Sequence, residues 1–130
     1  TDQLEQKSLP NTHYNCIAWA FGIDTIRLWP NSPYFLWPPA IPNTVTIDAF
    51  IKLYELIGYQ VCDSDSLENG FQKIAIFTLH GTPTHAAKQL PSGVWSSKLG
   101  WQSEDSEHTL NAISNGAYGD PEVFMKRPKI

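Results

Sequence analysis

The sequence predicts one α+β domain in which N-terminal helices pack on an antiparallel β-sheet. Three observations carry that class. Two capped, apolar helical segments lie before Gly58; after Gly58 the apolar period changes to two or to short continuous runs; and turn residues separate those runs at close intervals. Helices first and tightly linked strands afterwards is the arrangement of helices on one face of a sheet. At 130 residues, with 42% apolar and 12% aromatic residues, the chain makes its own core, and it carries too many aromatics and too few charges for disorder.

Residues 1 to 9 are polar and read as a loose arm. The run Asn15-Cys16-Ile17-Ala18-Trp19-Ala20-Phe21-Gly22 is preceded by the cap types Asn11 and Thr12 and closed by a glycine, which predicts a short buried helix over 15–21. Five prolines and four aromatics between Trp29 and Pro42 exclude helix and central strand there, because each proline fixes φ and removes a donor. An extended loop pinned by its aromatics is expected. Thr46, Asp48 and apolar residues at 50, 53, 54 and 57 before Gly58 define an amphipathic helix. Strands are predicted at 59–62, 72–79, 84–90, 94–99 and 122–127, following one another as a meander, with turns at 80–83 and 91–93. The acidic stretch 104–108 reads as a solvated loop.

A net charge of -4 with nine Lys and Arg gives no basic field for nucleic acid or an anionic membrane. No apolar run approaches the roughly 20 residues that span a bilayer, and the polar start does not resemble a secretion signal, so a cytoplasmic protein is expected. In that compartment Cys16 and Cys62 are expected as free thiols. Neither cysteine nor any of the four histidines shows the paired spacing of a zinc site, no phosphate-binding glycine loop is present, and the sequence calls for no metal or cofactor.

Cys16 stands at the start of the first helix, where unpaired N–H groups favour an anion and lower a thiol's pKa. Cys62, at a strand end, lacks that setting. A thiolate nucleophile needs a base, and His85 opens a predicted strand whose same-face neighbours Ala87 and Gln89 leave room for a substrate. The expected register puts His85 on the sheet face that meets the Cys16 helix, with the sulfur within about 4 Å of a ring nitrogen. The second ring nitrogen then needs an acceptor, for which Glu107 and Asp105 compete with Ser97 and Ser96. Asn11 and Asn15 are candidates to hold an oxyanion beside the Cys16 N–H. Trp19, Trp37, Gln89 and Trp95 are candidates for the substrate surface, with the Pro and Trp segment as a wall beside the Cys16 groove.

These residues resemble the papain-like fold in its compact bacterial form, as in the NlpC/P60 and CHAP amidases. Asn15-Cys16-Ile17-Ala18-Trp19-Ala20 is similar in placement to the cysteine helix of those enzymes, and Thr84-His85-Ala86-Ala87 to their histidine strand. The segments Tyr14–Ala20, Pro83–Ala87 and Trp95–Gly100 also look like an uncharacterised bacterial domain family of unknown function, over about residues 11 to 108. The first resemblance implies Cys16 as nucleophile and His85 as base on an amide, isopeptide or thioester of a peptide-like or acyl substrate. The sequence departs from the NlpC/P60 form in having Asn15 where an Asp commonly precedes the cysteine, and Ser96, Ser97 and Lys98 where the triad's third member is expected. A non-catalytic binding module of the same fold, using the Trp and Pro groove, is the competing expectation.

Overall fold

Residues Ile74–Phe77 are apolar without alternation because both faces of their strand are covered. The structure, a computed structural model, describes residues 5–6, 15–22, 26–33, 35–98, 105–110 and 118–129. It contains helices α1 (Cys16–Phe21) and α2 (Ile47–Glu55). The strands are β1 (Glu5–Gln6), β2 (Gln60–Cys62), β3 (Phe71–Leu79), β4 (Thr82–Gln89), β5 (Trp95–Lys98), β6 (Asp105–His108) and β7 (Asp120–Pro128). All pair antiparallel in one sheet of order β1-β6-β5-β4-β3-β7-β2.

The α+β class and both helices agree with expectation, and three details differ. The meander holds only from β3 to β6. The last strand inserts beside β3, pairing it from Phe71↔Pro128 to Thr78↔Asp120, and pushes the three-residue β2 to the edge. A nine-residue strand that buries Met125 on one face and packs Phe124 on the other has far more to gain beside β3 than a short strand with exposed Val61. The acidic stretch is a strand, β6, in register with β5 from Trp95↔His108 to Lys98↔Asp105. Of the expected loose arm, Glu5 and Gln6 pair with β6 as β1, and the rest lies outside the described residues.

Two apolar clusters flank the sheet. On the inner face Ile74, Ile76, Ala86 and Met125 meet Ile17, Ala18 and Ala20 of α1 and Phe50, Leu53 and Tyr54 of α2. On the outer face Ala75, Phe77, Ala87, Trp95 and Leu110 form a second cluster with Tyr118 and Phe124. The helices are locked to each other by Tyr54, whose hydroxyl donates to the Ile17 carbonyl at 2.9 Å. Thr46 caps α2 by accepting from Ala49 N at 3.2 Å. The proline-rich segment is pinned by its aromatics, as expected, but to α2: the rings of Trp29 and Trp37 lie 5.3 and 5.5 Å from that of Phe50, and Trp37 Nε1 donates to the Pro42 carbonyl. Among the described residues no helix is long and apolar enough to cross a membrane.

The β3–β4 turn is His80-Gly81, both at positive φ, which is the two-residue turn whose twist suits a hairpin. Just before β7 the chain passes so close to β3 that a Cβ on Gly119 would lie 1.8 Å from the Thr78 carbonyl oxygen. That approach places Tyr118, whose carbonyl accepts from the Thr84 hydroxyl. Gly119→Ala combines this backbone clash with a positive φ and is expected to cost about 3 kcal/mol or more. A urea midpoint unchanged from wild type would contradict the close approach.

Candidate functional site

Asn15 builds the start of α1. Its side-chain oxygen accepts from Ala18 N at 3.0 Å and from Leu28 N at 3.1 Å, while Nδ2 donates to the Leu28 carbonyl at 2.6 Å. One amide therefore caps the helix and satisfies both backbone groups of Leu28. This explains asparagine rather than aspartate, which has no donor, and it leaves Asn15 occupied as a structural anchor rather than free for an oxyanion. Asn11, the other oxyanion candidate, lies outside the described residues.

Cys16 follows as the first helical residue, and both cysteines are free thiols. The position is the expected one; the direction of the pKa shift is not. Burial pushes the Cys16 thiol from 9.0 up to about 11, while backbone hydrogen bonds from Ala86, Ile17 and Cys16 itself and the charge of Lys98 favour the thiolate without outweighing desolvation. A six-residue helix contributes too little dipole to reverse this. Burial likewise lowers the pKa of the Lys98 amine, with the Cys16 thiolate acting to raise it and Arg27 to lower it.

His85 is fully buried on β4, next to Ala86, which packs in one cluster with Cys16. Its side chain departs from the expected face. Ala86 packs in the inner cluster, and His85, paired with Phe77, shares the outer face. There its ring stacks on Tyr118 at 4.3 Å and meets Phe77 edge-on at 5.4 Å. Among the described residues neither ring nitrogen has a hydrogen-bond partner, so the expected bond to Cys16 is not made. Desolvation, with His108 adding to it, lowers the imidazole from 6.5 to about 3, which keeps it neutral.

Of the expected orienting residues, Ser96, Ser97 and Glu107 do not reach His85 either, and the Asp105 side chain lies outside those described. Ser96 accepts from Trp19 Nε1 at 3.1 Å on the inner face, and Glu107, opposite Ser96 in the register, shares that face. Ser97 points outward, where its hydroxyl is 2.5 Å from His108 Nε2. His108 Nδ1 lies 2.7 Å from the Thr109 carbonyl, which assigns the Nδ1–H tautomer and leaves Nε2 to accept from Ser97. His108, Tyr118 and Lys98 are thus the neighbours that sequence reasoning missed. Asp105–His108 is polar throughout and has no apolar alternation, so His108 is placed by the pairing of β6 with β5 rather than by a local signal.

The substrate-surface candidates divide. Trp19 is held by Ser96 and by Lys88, whose Nζ lies 3.7 Å from its ring centroid. Trp37 belongs to the α2 packing described above. Gln89 and Trp95 lie together on the outer face and line one open pocket.

What the fold and this arrangement define is an α+β domain with a half-buried thiol at the start of α1 and, on the strand beneath that helix, a buried imidazole with no hydrogen-bond partner among the described residues. The chain belongs to a family described as a domain of unknown function (DUF7689), whose model matches residues 5–126. No curated protein and no solved structure matches it.

Two outcomes follow from this geometry. Asn15→Asp keeps a competent cap but removes the donor to Leu28, so it is expected to destabilise the fold by about 1–3 kcal/mol in urea denaturation. Wild-type stability would show that the Leu28 link is dispensable. His85 supplies an acid-sensitive term: above about pH 6.5 it is neutral folded or unfolded, and as pH falls toward 3 only the unfolded chain gains its proton, so stability is lost in that window. The loss approaches roughly 5 kcal/mol when complete. The difference in urea midpoint between wild type and His85→Phe, followed from pH 7 to pH 4, should shift steadily in favour of the variant; a constant difference would mean that His85 charges as readily folded as unfolded.

Proposed function

We propose that this domain is a cysteine-dependent hydrolase or acyl transferase of papain-like, NlpC/P60-like type, acting on an amide, isopeptide or thioester. Cys16 is the nucleophile and His85 the base. The observation that carries the reading is that Cys16 and Ala86 pack in one cluster, and the residue beside Ala86 is a buried histidine with neither ring nitrogen partnered among the described residues. An unsatisfied buried polar group costs on the order of 1–3 kcal/mol, so a chain that keeps one there has a use for it beyond folding.

Both groups are neutral at rest, so the chemistry is a coupled transfer. As Cys16 Sγ forms a bond to the substrate carbonyl carbon, its proton leaves for His85, which returns it to the leaving amine or thiol; because the two side chains lie on opposite faces of the sheet, this reading requires His85 to turn toward Cys16 when substrate binds. The backbone N–H groups around the sulfur and the Lys98 charge stabilise negative charge as it develops. Ser97 and His108 do not touch the reacting groups in this reading.

A second reading has a specific observation in its favour. The raised thiol pKa and the unmade Cys16–His85 bond suit a non-catalytic binding module in which Cys16 is an inert packing residue.

Alkylation of the folded protein separates the two, with Cys16 and Cys62 distinguished by peptide mass. If His85 serves Cys16, His85→Phe is expected to slow Cys16 labelling by at least about tenfold between pH 7 and 8, within the usual contribution of a general base. A rate that climbs only toward the thiolate's own titration near pH 11, identical in wild type and His85→Phe, would leave the binding module as the account.

A further inference from the structure

We infer that the outer face of the sheet carries a small-molecule site for an apolar ring bearing one N–H donor, read by the side-chain carbonyl of Gln89. Gln89 and Trp95, expected on the substrate surface of the Cys16 site, lie on the opposite face of the sheet from Cys16, so the inference stands or falls separately from that reading.

An open pocket of about 380 Å³ lies between β4, β5 and the segments beside them. That is within the range of small-ligand sites. Its apolar lining comes from Trp95, Val94, Leu110 and Leu67. Trp95 and Leu110 belong to the outer cluster, so the floor is rigid core, whereas Leu67 at the rim is 51% exposed, a large apolar side chain left without cover.

The polar element is Gln89, which also lines the pocket and is only 5% exposed. Its Nε2 donates to the Asp65 carbonyl at 3.0 Å. A carbonyl can only accept, so this bond fixes which end of the amide is nitrogen and makes the other end an acceptor. That acceptor, Oε1, is buried and has no hydrogen-bond partner among the described residues. The backbone holds it in place: the Gln89 carbonyl accepts from Gln72 Nε2 at 2.6 Å, and Gln89 pairs with Trp95 across β4 and β5. Asp65, Ser66 and Thr109 also line the pocket, so it is mixed rather than apolar, and a preformed acceptor beside Trp95 selects a ligand that packs on the Trp95 side and offers one donor to Gln89. Among the described lining residues there is no Lys or Arg to hold an anion.

Indole and benzofuran test this, since they have nearly the same shape and only indole has a donor. Each is titrated into the isotopically labelled wild-type protein, and the shifts of the Gln89 side-chain amide and the Trp95 indole N–H are followed by NMR. Saturable shifts at both groups are expected with indole, with benzofuran about fivefold weaker, the ratio that a single neutral hydrogen bond supports. Gln89→Leu should bring the two affinities together, and Val94→Trp should abolish both by filling the pocket. No saturable shift at Gln89 and Trp95 would overturn the site, and equal affinities or tighter benzofuran in the wild-type protein would overturn the role of Gln89. The wild-type comparison decides without either variant having to fold.

Discussion

Everything in this domain is referred to β3, whose Ile74-Ala75-Ile76-Phe77 run is fully buried on both sides. Two-sided burial removes the freedom of register that a one-faced sheet strand retains, because a slip by one residue would exchange isoleucines for alanine and phenylalanine on faces packed to fit them. β4 and β7 inherit their register from this strand. So does the alternation that sends Ala86 inward to the helices and His85 outward to Tyr118.

That alternation makes the sheet a partition with chemistry on both sides. On the inner face, Asn15 anchors α1 to Leu28, Tyr54 anchors it to α2, and Trp19 anchors it to Ser96, so the helix that begins with Cys16 is held in place by three unrelated contacts. On the outer face, His85, His108 and Gln89 are buried polar groups, and both ring nitrogens of His108 are hydrogen-bonded. Polar satisfaction is the rule in folded interiors. Among the described residues its exceptions, His85 and Gln89, lie on the same face and the same strand.

Desolvation decides the electrostatics throughout. It raises Cys16 and Tyr54 and lowers His85, His108 and Lys98, in each case ahead of any charge partner. Cys16 and His85 therefore rest in their neutral forms. Any chemistry they perform must move protons within the site rather than begin from a standing ion pair.

The residues by themselves determined the helices and the central strands. Gly22, Thr46 and Gly58 are local signals, since capping groups and positive-φ glycines act within a few residues of where they stand. The placing of Cys16 near the start of the first helix was legible for the same reason, whereas the cap proved to be Asn15 rather than Asn11 or Thr12, and the turn expected over 80–83 tightened to His80-Gly81 with Thr82 and Pro83 in β4. Only the tertiary structure decided the rest. Which strand lies beside β3 depends on competition between β2 and β7 for one partner, and nothing local in either segment records the outcome. The face on which His85 lies depends on a register that shifts at Phe77 and Thr78, a one-residue irregularity that pattern reading cannot place. The thiol's pKa depends on how much of the domain closes over Cys16, and burial is a property of the assembled core, not of the helix that carries the cysteine.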